Sequence, residues 1–267
     1  MTKNFSSNSG FLFRSIALGA LSLLCSCSLA TPPELSKTTA PPLNTYVLAA
    51  VKSMPEGGGY EATQTAVDRL AAGVSVKDSR FEENLDQIAA SFCSGATYLV
   101  FLRTIDLLQE KGRLTLSEAA LSRYASLGVK DGAEIFGRWN SNGPGTAKLF
   151  AELKCGRNFT SYEKALPGDF MKIWWTEEIG GRERGHLVVY LGTKGDEICY
   201  WSSNIPGGYG EQSVAKSKIK RVLFSRFERD DRLERAISLS AKNIFLADML
   251  TKPFTWTQVI KECRVTE

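Results

Sequence analysis

The chain has 267 residues, 43% hydrophobic and 23% charged, which is enough apolar material for one sizeable core. Of its 33 Lys and Arg, Lys3 and Arg14 fall in an acid-free N-terminal stretch, leaving 31 basic residues against 29 Asp and Glu. With that near balance and no dense Lys/Arg patch, no nucleic-acid partner is expected.

The first thirty residues read as an export signal. Lys3 and Arg14 flank an apolar core over 16–24 that is too short to span a bilayer. Leu24-Cys25-Ser26-Cys27 resembles a bacterial lipobox: an aliphatic residue three positions before the cleavage site, a small residue just before it, then the cysteine to be acylated. Cys27 is therefore the expected lipidation site and 1–26 the segment removed. Ordinary cleavage after Ala30 and an uncleaved membrane anchor are the competing readings. Ser28 is not the aspartate that retains such proteins at the inner membrane, so an exported, lipid-anchored chain at the outer membrane or facing the periplasm is expected. Residues 27–44 are rich in Pro and Thr and read as an extended tether.

The folded domain is expected over 45–240, with a C-terminal helical extension over 241–267. Residues 46–54 form a short apolar, helix-like run that ends at Pro55-Glu56-Gly57-Gly58-Gly59-Tyr60. A triple glycine marks a turn or a close approach of backbone. Helical spacing returns over 63–72, and 81–90 leads into Ser91-Phe92-Cys93-Ser94-Gly95-Ala96-Thr97-Tyr98. Small and hydroxyl residues gather there as at a helix start, with Ala96, Leu99, Val100, Ile105, Leu107 and Leu108 supplying the apolar body. A thiol in a first helical turn meets unpaired N–H groups and the positive end of the helix dipole, and both favour thiolate. A lone cysteine in such a setting is more often a structural core thiol. Farther on, Thr115 or Ser117 caps a helix at 117–121, Asp131 caps one that runs through Trp139, 140–145 is a loop, and 146–154 is helical.

From Leu166 the pattern turns to sheet. Pro167-Gly168-Asp169-Phe170 feeds an apolar strand through Trp175, a charged loop covers 177–184, and Gly185-His186-Leu187-Val188-Val189-Tyr190-Leu191-Gly192 is a second strand holding the only histidine. A tight turn over 192–196 leads to a strand at 198–203. A further strand at 219–224 precedes a charged helix at 230–238. Helices followed by antiparallel strands predict an α+β fold with the cysteine helix packed on the sheet. A cysteine at a helix start and a histidine on a distant strand have the order of a cysteine hydrolase, which moves Cys93 from core thiol to candidate nucleophile.

Cys93-Ser94-Gly95, Pro167-Gly168-Asp169-Phe170 and the Gly185–Gly192 strand together resemble the NlpC/CHAP branch of papain-like cysteine peptidases, over residues 55–225. The resemblance implies a papain-like fold and hydrolysis of an amide in peptidoglycan, either between stem-peptide residues or between the sugar and the first alanine. It makes Cys93 the nucleophile, His186 the base and Tyr60 the helper tyrosine. Phe92 departs from the Asp often found before the nucleophile, and Tyr60 lies much farther upstream than the family's tyrosine. The group that orients the imidazole, by accepting its Nδ1–H or pairing with it, is implied to come from the next strand, at Trp201-Ser202-Ser203-Asn204. A turn centred near Lys194 sets 202 and 203 opposite His186, and a one-residue bulge brings Asn204 there. An amide oxygen is the better acceptor, so Asn204 is preferred and Ser202 second; Asn204 before Ile205-Pro206-Gly207 also reads as a plain turn residue. The oxyanion hole is expected to use the Cys93 N–H and a second donor not assigned. Trp174, Trp175, Trp201, Tyr209 and Tyr98 are candidate groove aromatics, and Tyr60, Tyr98, Trp175 and Trp201 are chosen as substrate contacts.

One histidine and no close cysteine pair beyond the signal predict no metal site, and the absence of phosphate-loop and dinucleotide patterns predicts no cofactor. Cys199 reads as a core thiol, and a Cys155–Cys263 disulfide is permitted but not required. The expected partners are peptidoglycan and the membrane, with the chain a monomer. The alternative is a catalytically inactive wall-binding module of the same fold. A permuted acyltransferase of the superfamily would carry His before Cys, the reverse of the order here.

Overall fold

The computed structural model describes residues 42–267, so Cys27, the signal and nearly all of the tether lie outside the described residues. Helix α1 (Leu43–Ser53) follows directly on Pro42. It buries Leu43, Val47, Ala50 and Val51, one stripe at helical spacing. The tether expected to reach 44 therefore ends before Leu43, because Leu43 and Asn44 are already buried. After β1 (Gly57–Gly58), Thr63 caps α2 (Gln64–Ala72) by accepting from the Ala66 N–H. A hairpin of β2 (Val74–Lys77) and β3 (Arg80–Glu83) comes next, turning through Asp78 and Ser79, both at positive φ.

The long α3 (Cys93–Glu110) is followed by α4 (Glu118–Tyr124), capped by Ser117, then α5 (Glu134–Asn140) and α6 (Gly145–Leu153). Asp131 does not cap α5: Ala133 holds that position, and the Asp131 carboxylate accepts from the Asn142 N–H. The strands are β4 (Gly156–Phe159), β5 (Phe170–Trp174), β6 (Gly185–Lys194), β7 (Glu197–Asn204), β8 (Gly208–Ala215) and β9 (Arg221–Phe227). The charged stretch Asp230–Ser238 is a 3-10 helix, and α7 (Ile244–Asp248) and α8 (Trp256–Glu262) end the chain.

The fold is thus α+β. Seven antiparallel strands run in the order β1-β8-β7-β6-β5-β9-β4, with β2–β3 forming a separate hairpin sheet. Strand alternation separates two apolar faces. Phe170, Leu187, Val189 and Trp201 join the α3 core, whereas Met171, Ile173, Val188, Tyr190 and Tyr200 form a second cluster. The body of α3 is buried all round because α1, α5 and the sheet surround it. Its Phe101 meets the rings of Tyr98, Tyr124, Trp139, Phe150, Phe170 and Phe227. Among the described residues no helix is long and apolar enough to cross a membrane.

Two expected boundaries acquire a physical meaning. The Pro167-Gly168-Asp169 turn is a buried junction: Asp169 takes two hydrogen bonds from Arg226 (2.8 and 2.7 Å) and one from Asn44 of α1 (2.9 Å). Residues 241–267 are no separate extension. Met249, Val259 and Cys263 are fully buried against Trp174, Ile179 and Leu223, so this segment belongs to the same body as the sheet.

Candidate active site

Cys93 occupies the first turn of α3. Phe92 precedes the helix in an extended conformation and its side chain makes no cap, so the first N–H groups are not taken up by the N-cap residue itself. Several contacts hold this start in place. Ser203 on β7 donates to the Ser91 carbonyl (2.8 Å), and Trp139 donates to the Ser94 carbonyl (3.1 Å). Gly95 must be small, because a Cβ there would lie 2.9 Å from Ser91 Oγ and 3.1 Å from Leu70.

His186 begins β6. Its Nε2 lies 3.0 Å from Asn204 Oδ1. The Asn204 amide nitrogen donates to the Gly210 (2.8 Å) and Ser202 (3.1 Å) carbonyls, which turns the oxygen toward the ring. An amide oxygen only accepts, so Nε2 carries the proton and Nδ1 is left for the thiol. The expected Nδ1 contact is corrected to Nε2. The register explains the pairing. Lys194 opposes Glu197 and Gly192 opposes Cys199, but an irregularity at Leu191 then sets Tyr190 opposite Tyr200 and Val189 opposite Trp201. Continued along β6, that register brings His186 level with Asn204. The turn is centred at Gly195-Asp196, not at Lys194, so without the bulge His186 would face Ile205. Ser202 is not the orienting group: it is buried and donates to the Leu187 carbonyl (2.8 Å). Trp175 stacks on the imidazole (6.5 Å between centroids) and Tyr200 meets it edge-on (5.7 Å).

The electrostatics of the pair oppose burial. Burial alone pushes the Cys93 thiol up. The hydrogen bond and charge of His186, the Leu187 backbone and the Lys172 ammonium outweigh it and bring the thiol from 9.0 down to about 6. For His186, burial lowers basicity, but the hydrogen bond and charge of Cys93, with Asn204, raise it above its ordinary value against the opposition of Lys172.

Tyr60 is brought here by the sheet edge. Gly57–Gly58 pairs with Gly208–Tyr209, Tyr60 bridges to Ser91, and Glu61 N–H donates to the Ser91 carbonyl (2.9 Å). Its phenol is raised first by burial and then by the charge of Cys93, and it is in hydrogen-bonding contact with the Cys93 side chain and backbone. Tyr60 was expected here as the helper tyrosine despite its distance from Cys93 along the chain. The one signal was the Gly-Gly-Gly before Tyr60: at Gly58, with φ +84°, a Cβ would sit 1.9 Å from the Ala89 carbonyl oxygen.

A cleft of about 500 Å³ opens at this point, lined by Cys93, Tyr60, Thr63, Gln64, Lys172 and Leu187 among others, with Asp131 and Asn142 on its wall. Lys172 and Glu183 were not anticipated; a single lysine inside the apolar strand Phe170-Met171-Lys172-Ile173-Trp174 was the available signal. Two expected aromatic contacts are corrected. Tyr98 is fully buried and donates to the Tyr124 carbonyl (2.6 Å), and Trp201 is buried against Tyr209 and borders a different depression. Both face the core by strand or helix phase. Trp174 and Tyr209 are likewise buried, whereas Trp175 is half-buried over His186. Cys93, Cys155, Cys199 and Cys263 are all free, and Cys199 is only half-buried rather than a core thiol. Among the described residues no group of three or more His, Cys, Asp or Glu converges as a metal ion would need. No protein-family model, no curated protein and no solved structure matches the chain.

Proposed function

We propose that this chain is a papain-like cysteine hydrolase that cleaves an amide bond in peptidoglycan. The observation that carries the reading is the convergence of a thiol, an imidazole and an amide oxygen from three separate elements, α3, β6 and β7, with the thiol on the wall of an open cleft. The Cys93 thiolate attacks the amide carbonyl carbon, the C–N bond breaks, and the imidazolium gives its proton to the departing amine. Water, deprotonated by the same ring, then hydrolyses the thioester. The developing oxyanion is met by the Cys93 N–H and the Tyr60 hydroxyl, which makes Tyr60 the second donor. Asn204 keeps the ring in register and Trp175 shields it.

The substrate class is favoured by the export signal and tether read in the sequence, and by a groove open enough for a peptide. A wall-binding module without chemistry has no need of a thiol held near 6 beside an imidazole. Digestion of purified muropeptides, read by mass spectrometry, tests the proposal. Wild type should release new fragments; Cys93→Ala and His186→Ala should each abolish them, and the double variant should be no worse than either. Fragments of equal yield from Cys93→Ala would return the protein to the binding-module reading.

A further inference from the structure

Lys172 is the one cation among the residues lining the cleft. It sits on β5 between Phe170 and Trp174, on the α3 side of the sheet, and pairs in register with Leu187. Leu187 is also the residue whose backbone hydrogen-bonds the Cys93 sulfur, so the ammonium lies one residue pair away from the nucleophile. An apolar residue would suit that position in the strand; a lysine held 14% exposed needs a partner. Glu183, only 2% exposed, supplies it at 2.7 Å.

The two halves of this pair are unequal. Both Glu183 oxygens are saturated: Oε1 accepts from Lys172 and the Gly143 N–H (2.7 Å each), and Oε2 from the Gly180 N–H (2.7 Å) and Trp174 Nε1 (3.0 Å). The carboxylate therefore has little capacity left for anything in the cleft. An ammonium has three donors, and among the described residues Lys172 commits one, to Glu183. The ammonium itself lies over the Trp174 ring (5.3 Å from Nζ to the centroid), which limits where the head can swing. A braced cation with donors to spare, beside the reacting sulfur, is the construction of an anion anchor.

We propose that Lys172 holds a carboxylate carried by the substrate beside the scissile amide, so that the cleft selects peptides with that carboxylate free over the same peptides amidated. The proposal rests on the hydrolase reading above and adds the charge of the substrate to it. The test uses synthetic stem peptides in which each carboxylate in turn is replaced by a carboxamide, assayed at pH 8, where the thiolate is formed. One such replacement should lower wild-type kcat/KM by about tenfold to a hundredfold, the range of a charge-assisted hydrogen bond. Lys172→Met should lose the discrimination itself: its kcat/KM values on the free-carboxylate and amidated peptides should agree within about threefold, whatever its absolute rate, and a cooperative thermal melt shows that the variant is folded. Equal losses on both peptides, or a wild type indifferent to every replacement, would overturn the assignment. A second arm is independent of turnover: calorimetric affinity of Cys93→Ala for the same pairs should fall about tenfold on amidation, and that preference should vanish in Cys93→Ala/Lys172→Met. Selective binding without cleavage by wild type would sink the hydrolase reading and leave the anchor standing; unselective binding would sink the anchor.

Discussion

Two opposing effects meet at Cys93, and their relative size sets its chemistry. Removing water from a thiolate raises its pKa, whereas a neighbouring imidazolium and backbone N–H groups lower it. The second set wins, since the thiol falls from 9.0 to about 6 while His186 moves above its ordinary value. Between those limits the pair exists as thiolate and imidazolium. Alkylation of Cys93 by iodoacetamide should therefore rise with pH through about 6 and then level off. In His186→Ala the burial remains and its largest opponents are gone, so the inflection should move upward past the ordinary thiol value of 9.0. A profile unchanged by His186→Ala would mean that the helix start and Lys172, not the imidazole, hold the thiolate.

The β2–β3 hairpin illustrates how an element can carry a stability switch away from the site. Phe81 packs into the α3 core, and its N–H donates to Asp106 of that helix (3.2 Å). Beside it, Glu83 is pushed from 4.5 up to about 7, first by burial and then by repulsion from Asp106, with Arg103 opposing. One of its oxygens has no hydrogen-bond partner. Because the folded state holds this proton more tightly than the unfolded chain, the stability it contributes is complete below 4.5 and is lost as pH rises through about 7. Glu83→Gln should consequently be more stable than wild type at pH 8, by up to about 3 kcal/mol, and nearly equal at pH 4. Urea midpoints at the two pH values measure the difference; a variant less stable at pH 8 would show that the charge, not its burial, holds the hairpin.

Across the whole molecule, the last 27 residues brace the cleft from behind. Gly181 N–H donates to the Met249 carbonyl (2.7 Å), Gly180 bridges to Pro253, and Leu250 reaches the cleft wall. The loop that carries Glu183 is thereby held between β5 and the segment that follows α7. Ending the chain at Ser240 would uncover Trp174, Ile179 and Leu223 and remove Met249 and Val259, each fully buried side chain being worth about 1.5–3 kcal/mol. That is a large part of the roughly 5–15 kcal/mol available to a domain. The truncated chain is expected to lose its cooperative thermal transition and to be cleaved rapidly by trypsin. An unchanged melting curve would mean that 241–267 adds nothing to the core.

What could be read along the chain was local. The start of α3, with its small residues and thiol, follows from helix-end chemistry confined to a single turn, and the His186 strand follows from a short continuous apolar run bounded by glycines. Asn204 was reachable because a turn and a bulge define a register within some twenty residues, even though the turn lies one position beyond its expected centre. The rest depended on which faces met. Tyr98 and Trp201 are aromatic in either reading, and only the packing of α3 and the phase of β7 send them inward. Tyr60 reaches Cys93 through a strand pair closed by β8, an element the sequence hides among glycines and polar residues. Lys172 becomes part of the cleft only because β5 pairs with β6 in that one register, since a slip of a single residue would turn its side chain to the opposite face of the sheet. Propensity and capping act over a few residues and can be read from them; register and facing are settled by burial of the entire core, which no short stretch contains.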